Sequence, residues 1–216
     1  MRTTFRDRSE AGRLLAEQLP QYARRPDTIV LALPRGGVPI GYEIAVALAL
    51  PLDVFVVRKL GVPGHRELAM GAIASGGVRV LNEEVLHAIP HAAETVAEIT
   101  AVETLEVERR EHDYRQDRPA PELLGQTVIL VDDGLATGAT MLAGIAALRR
   151  QDPARIVVAV PVCPPETLGE IERAADETVA LFAPAWFRGV GQFYGDFAQV
   201  SDETVRDLLA RAARRE

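Results

Sequence analysis

Short apolar runs alternate with amphipathic stretches along the chain. Residues 28–33, 52–57, 128–131, 156–162 and 178–182 are apolar, mostly β-branched runs, and each predicts a strand buried on both faces. A shorter strand is expected at 78–81. Helical spacing falls between the runs. At 7–19, Ala11, Leu14, Leu15 and Leu19 form one face, Asp7 and Glu10 have capping-box spacing, and Pro20 ends the pattern. Further helices are expected over about 38–49, from about 141 (Met141, Leu142, Ile145, Ala146, Leu148), over 165–175, and after Ser201, with Val205, Leu208 and Leu209 inward.

Strands alternating with helices predict an α/β fold, a parallel sheet with crossover helices, whose ligands gather at the strands' C-terminal ends. One domain is expected over 1–216. Its core covers about 26–184, and 1–25 with 185–216 build a small hood or lobe. Residues 92–116 form a long polar helix with a thin stripe of Val96, Ile99, Val102 and Leu105. Its charged end reads as a solvated face, with a homodimer contact as the alternative.

Composition narrows the classes. The chain has 216 residues, 48% hydrophobic and 25% charged, ordinary values for a globular domain. A net charge of −7 speaks against a general nucleic-acid surface. Cys163 is the single cysteine, so neither an intrachain disulfide nor a cysteine-cluster metal site can form. No apolar signal core opens the chain and no run of about 20 apolar residues follows. No membrane association and a cytoplasmic location are expected.

The candidate chemistry centres on 127–140. A buried strand ends in Asp132 and Asp133, followed by Gly134, Ala136, Thr137, Gly138, Ala139 and Thr140 at the start of a helix. Small residues at a helix start form an anion site, because the first-turn N–H groups lack intrahelical partners. Two carboxylates would repel a phosphate and instead suit neutral hydroxyls or a metal. A ribose 5-phosphate has both features. No lysine follows Gly138, which excludes a Walker A loop, and Gly134 and Gly138 are four apart, which excludes a dinucleotide fingerprint. Pro34-Arg35-Gly36-Gly37 also follows a core strand and offers a guanidinium and backbone N–H groups to an anion. Arg58-Lys59 opens a long glycine-rich stretch, 60–77, with glycines at 61, 64, 71, 76 and 77, expected to be a movable loop. His65 and Glu67 lie in it as solvated residues or acid–base assistants. The three loops at 34–37, 58–77 and 132–140 should converge on one crevice.

The 127–140 stretch resembles the 5-phosphoribosyl 1-pyrophosphate (PRPP) motif of type I phosphoribosyltransferases, and the full length is most similar to an uncharacterised bacterial group within them. The resemblance implies phosphoribosyl transfer from PRPP to a nitrogen nucleophile, a nucleobase, with release of pyrophosphate. Asp132 and Asp133 would hold the ribose hydroxyls, and residues 136–140 the 5′-phosphate. Arg35, Gly36 and Gly37 resemble the pyrophosphate loop of xanthine and hypoxanthine enzymes, where the peptide before the glycine is often cis, here Arg35–Gly36. Arg58 and Lys59 resemble a pyrophosphate-contacting pair in orotate and adenine enzymes. Catalytic roles would fall to Asp132, Asp133, Lys59 and Arg35. Mg²⁺ is the implied cofactor, held by PRPP and water with a minor share from Asp132 and Asp133. Trp186 or Phe187 would stack on the base, or build the core of the C-terminal lobe. The alternatives are a PRPP- or nucleotide-sensing regulator on the same fold, or a PRPP hydrolase.

Overall fold

The computed structural model describes residues 4–63, 65–89, 91–116 and 118–214, and of 65–68 the backbone alone. Gly64 and the side chains of His65 and Glu67 therefore lie outside the described residues. Among the described residues eight strands form, β1 (Thr28–Ala32), β2 (Leu52–Val54), β3 (Val57–Val62), β4 (His65–Ala74), β5 (Val78–Leu81), β6 (Thr127–Val131), β7 (Arg155–Val162) and β8 (Glu177–Phe182). The helices are α1 (Arg8–Ala16), α2 (Gly37–Leu48), α3 (Glu83–Leu86), α4 (Ala92–Arg115), α5 (Ala139–Arg149), α6 (Pro165–Ala174) and α7 (Asp202–Ala213).

Five strands make a parallel sheet in the order β2-β1-β6-β7-β8. Successive side chains of a strand point to opposite faces, so each central strand feeds two cores. Val30, Ala32, Ile129, Val131, Val157 and Ala159 join α1, α2 and α7 on one face. Ile29, Leu31, Val128, Leu130, Ile156 and Val158 join α5 and α6 on the other. Burial on both sides explains the unbroken apolar runs.

Among the described residues, the segments outside 26–184 pack into the sheet's core rather than forming one of their own. Ala11, Leu15 and Leu19 at one end, and Phe193, Tyr194, Val205 and Leu209 at the other, pack into the same apolar cluster as the sheet. The expected caps form, since Asp7 accepts from the Glu10 N–H at 2.7 Å and Ser201 from the Thr204 N–H at 3.1 Å.

Three expectations are corrected. The run at 52–57 is not one strand: β2 ends at Val54 in the parallel sheet, and β3 starts at Val57 in another. The stretch 60–77 is not a plain loop, because β3, β4 and β5 form an antiparallel three-stranded sheet with register shifts at Leu60–Val62. Leu60, Met70 and Ile73 are buried against α4; Met70 and Ile73 are three apart and share a side because the pairing skips Met70 at the register shift, which breaks the alternation a sequence would show. The stripe on α4 also differs, for Val96 and Val107 are buried whereas Val102 and Leu105 are 65% and 68% exposed.

The C-terminal end of α4 is fixed by charge. Arg115 donates to Asp53 Oδ2 at 2.7 Å, to Glu111 Oε1 at 2.6 Å and to the Val54 carbonyl at 3.0 Å. Burial pushes the Asp53 carboxyl upward while Arg115 pulls it back down. Among the described residues no helix is long and apolar enough to cross a membrane.

Candidate active site

Chain topology places the crevice. From β1 the chain crosses to β2 by way of α2 on one face, and from β6 it crosses to β7 by way of α5 on the other. β1 and β6 are neighbours, so their C-terminal loops diverge and leave a gap where a parallel sheet binds ligands. The Leu33 N–H donates to the Val131 carbonyl at 2.9 Å, which pins the two loop starts together.

Loop 34–37 sits directly against the acidic pair. A Cβ on Gly36 would fall inside the Asp133 carboxylate, and one on Gly37 would lie 2.6 Å from the Val131 carbonyl oxygen. Only glycine admits this approach. The cis peptide of this loop is Pro34–Arg35, one bond earlier than Arg35–Gly36. Arg35 is 3.8 Å from Asp202 at the start of α7. With Arg109, Arg110, Asp113 and Tyr114 these two line a cavity of about 340 Å³.

Asp132 and Asp133 are half-buried at the end of β6. Each gives one oxygen to the protein. Asp132 Oδ1 accepts from the Asp133 N–H at 2.8 Å, and Asp133 Oδ2 accepts from Arg8 Nε at 2.9 Å. Among the described residues, Asp132 Oδ2 and Asp133 Oδ1 have no hydrogen-bond partner. Two adjacent acceptors with open lone pairs match a vicinal diol. Burial, and then the neighbouring Asp133 charge, raise the Asp132 carboxyl well above the usual range. Burial also raises Asp133, opposed by the Arg8 guanidinium.

The start of α5 follows the acidic pair. Gly138 caps α5 at φ 68°, a left-handed conformation that suits glycine. Its side of the loop is anchored by Thr167, whose hydroxyl donates to the Ala136 carbonyl at 2.8 Å. Among the described residues no side chain caps the first turn of α5 beyond a long 3.5 Å contact from the Ala139 N–H to Thr137 Oγ1. Ala136, Thr137 and Ala139 are exposed, and Thr140 is half-buried. An uncapped first turn beside small exposed residues is what an anion requires.

Arg58 and Lys59 part company, because neighbours on a strand face opposite sides. Arg58 pairs with Glu103 of α4 at 2.7 Å. Lys59 is exposed and lines a cavity of about 170 Å³ with Ala139 and Ala143 of α5, which puts it beside the start of that helix. Trp186 is 84% exposed, and Phe187 stacks on Phe193 with ring centres 5.5 Å apart. Their segment reaches the acidic loop through Val190, whose side chain covers Gly134.

The rings brought to the acidic pair are others. Tyr194 donates to the Asp133 carbonyl at 2.6 Å, and Phe197 lies 4.0 Å from the Arg8 guanidinium. The sequence groups Tyr194 and Phe197 with Trp186, Phe187 and Phe193 in a late aromatic cluster, whereas Arg8 gives one faint signal: a cation at the first position of α1 opposes the helix dipole.

With this geometry in place, similarity to known proteins becomes decisive. Residues 7–197 match the phosphoribosyl transferase domain. The chain belongs to the type I phosphoribosyltransferase family. Among its members, two Mycobacterium tuberculosis proteins (strains CDC 1551 / Oshkosh and H37Rv), each named "Putative phosphoribosyl transferase", are 44% identical over 210 residues. The match covers 97% of this chain and 47% of theirs. The chain thus spans about half the length of the curated relatives it matches. The crystal structure of TT1426 from Thermus thermophilus superposes with a TM-score of 0.86 at 41% identity, covering 96% of this chain and 98% of that one.

Proposed function

We propose that the chain transfers a 5-phosphoribosyl group from PRPP to a nitrogen nucleophile, a nucleobase, and releases pyrophosphate. The observation that carries this is the pairing of two open carboxylate oxygens, Asp132 Oδ2 and Asp133 Oδ1, with the uncapped start of α5 in the same loop. The first would accept from the ribose hydroxyls. The N–H groups of 137–140 and the threonine hydroxyls would hold the 5′-phosphate.

In the reaction the acceptor nitrogen forms a bond to C1′ as the C1′–oxygen bond to pyrophosphate breaks, with inversion. The electron pair of the broken bond leaves on pyrophosphate, and the nitrogen's proton passes to solvent or to that product. Positive charge develops on the ribose ring, and the two carboxylates beneath it favour that charge. Arg35 on its glycine loop and Lys59 beside the phosphate loop would meet the growing charge of the leaving group. No covalent protein nucleophile is required. Trp186, exposed on the segment whose Val190 covers Gly134, remains the candidate for stacking on the base.

The donor set suits Mg²⁺ only in part. Among the described residues no three carboxylate, histidine or cysteine groups stand together. Asp132 and Asp133 would supply a minor share of the ligands to such an ion, and pyrophosphate and water the rest, as Mg²⁺ prefers. When bound, the ion would offset charge on the leaving group.

Calorimetric titration with PRPP, with and without Mg²⁺, followed by addition of nucleobases, tests the proposal. Saturable binding and base-dependent pyrophosphate release are expected, and absence of PRPP binding would refute it. The ion pair of Arg58 with Glu103 favours one second reading, a PRPP-sensing regulator, since it holds a leaving-group cation away from the ligand. Binding of PRPP without turnover by any base or by water would select that reading.

A further inference from the structure

The Arg8 guanidinium is held on every side. Nε and Nη2 converge on Asp133 Oδ2 at 2.9 and 2.8 Å, and Nη1 donates to the Ala198 carbonyl at 2.9 Å. The Phe197 ring lies 4.0 Å from its centre. The two side chains are only 11% and 14% exposed. Tyr194 meanwhile holds the main-chain carbonyl of the same aspartate. Both ends of the chain thus close on one residue of the acidic pair.

We propose that Arg8 is a positioning residue for ribose recognition: it fixes Oδ2 of Asp133 and so leaves Oδ1 oriented to accept from a ribose hydroxyl. The inference rests on the phosphoribosyl reading of the crevice and deepens it by adding a group from the N-terminal helix. A planar guanidinium suits the task, because it satisfies a carboxylate, a carbonyl and an aromatic face in one geometry. A lysine ammonium could reach the carboxylate but would not stack or span both acceptors. A merely structural pair would also serve the fold, yet it would leave ligand discrimination untouched. The arginine instead acts on one oxygen of a carboxylate whose other oxygen is open.

The experiment titrates the parent, R8Q and R8K with ribose 5-phosphate, 2-deoxyribose 5-phosphate and inorganic phosphate, with a thermal melt of each protein. The parent is expected to prefer the ribose over the deoxyribose ligand by roughly tenfold, the worth of one hydrogen bond to a charged group. In R8Q most of that preference disappears while phosphate affinity stays at the parent's level. R8K folds like the parent and keeps only part of the preference, so the comparison stands on either variant. Because the preference is a ratio within one protein, a general loss of stability cancels from it. If both variants keep the parent's preference, Arg8 has no positioning role. If the parent binds neither sugar phosphate, the phosphoribosyl reading fails first and the inference falls with it.

Discussion

Gly36 and Asp133 occupy complementary space: the carboxylate fills the volume that a side chain on Gly36 would take. The backbone at Gly36, φ −60° and ψ −36°, suits any residue, so the glycine is required by contact alone. Gly36→Ala should therefore push the carboxylate out of place without unfolding the chain. The expected result is a chain that still folds, with a melting temperature lowered by loss of the buried Arg8–Asp133 pair and ribose 5-phosphate binding weakened roughly tenfold, one charged hydrogen bond's worth. Unweakened binding in a folded variant would show that the carboxylate's position is immaterial.

Asp132 carries a stability signature. Burial and the neighbouring charge raise its carboxyl above the ordinary value of 3.8. A group raised on folding contributes stability below its unfolded value, and that contribution is lost as pH rises through the folded value. At neutral pH the ionised carboxylate is therefore unfavourable to the fold. Asp132→Asn should melt higher than the parent at pH 7, and the gap should close as pH falls towards 3.8. Thermal melts across that range check the sign.

Replacing both acids tests the diol site itself. Asp132→Asn with Asp133→Asn is expected to abolish PRPP turnover while circular dichroism stays that of the parent. Full activity in the double variant would remove the pair from ribose binding.

Lys59 is exposed beside the start of α5. Lys59→Ala should lower turnover by about 100-fold, as loss of one preorganised donor commonly does. Its stability should change by less than about 0.5 kcal/mol, as for other surface positions. Steady-state rates and a urea melt on one preparation separate the two effects, and a rate equal to the parent's would exclude Lys59 from the site.

Arg115 is the opposite case, a buried cation with a structural duty. Arg115→Met would strand Asp53 in the core without its cation, a loss of about 3 kcal/mol for a broken buried pair. Denaturant unfolding measures it. With the end of α4 released, ligand binding at the neighbouring Arg35 loop is expected to weaken as well.

Much of this protein is settled locally. The apolar runs at 28–33, 128–131 and 156–162 mark strands buried on both faces, because a central parallel strand has helices on either side. The caps at Asp7 and Ser201 are short-range hydrogen bonds, readable from spacing. The diacid, the small-residue loop and the helix start at 132–140 are contiguous, so their joint chemistry is visible before any folding. Tertiary structure decided what depends on partners distant in sequence. Whether 60–77 pairs as strands depends on α4 offering Val96 and Val107 to Leu60, Met70 and Ile73. Whether Arg58 and Lys59 act together depends on the strand that separates their faces, one towards Glu103 and the other towards Ala139. Arg8 lies 125 residues from Asp133, and only the packing of α1 onto the sheet brings its charge to the acidic pair.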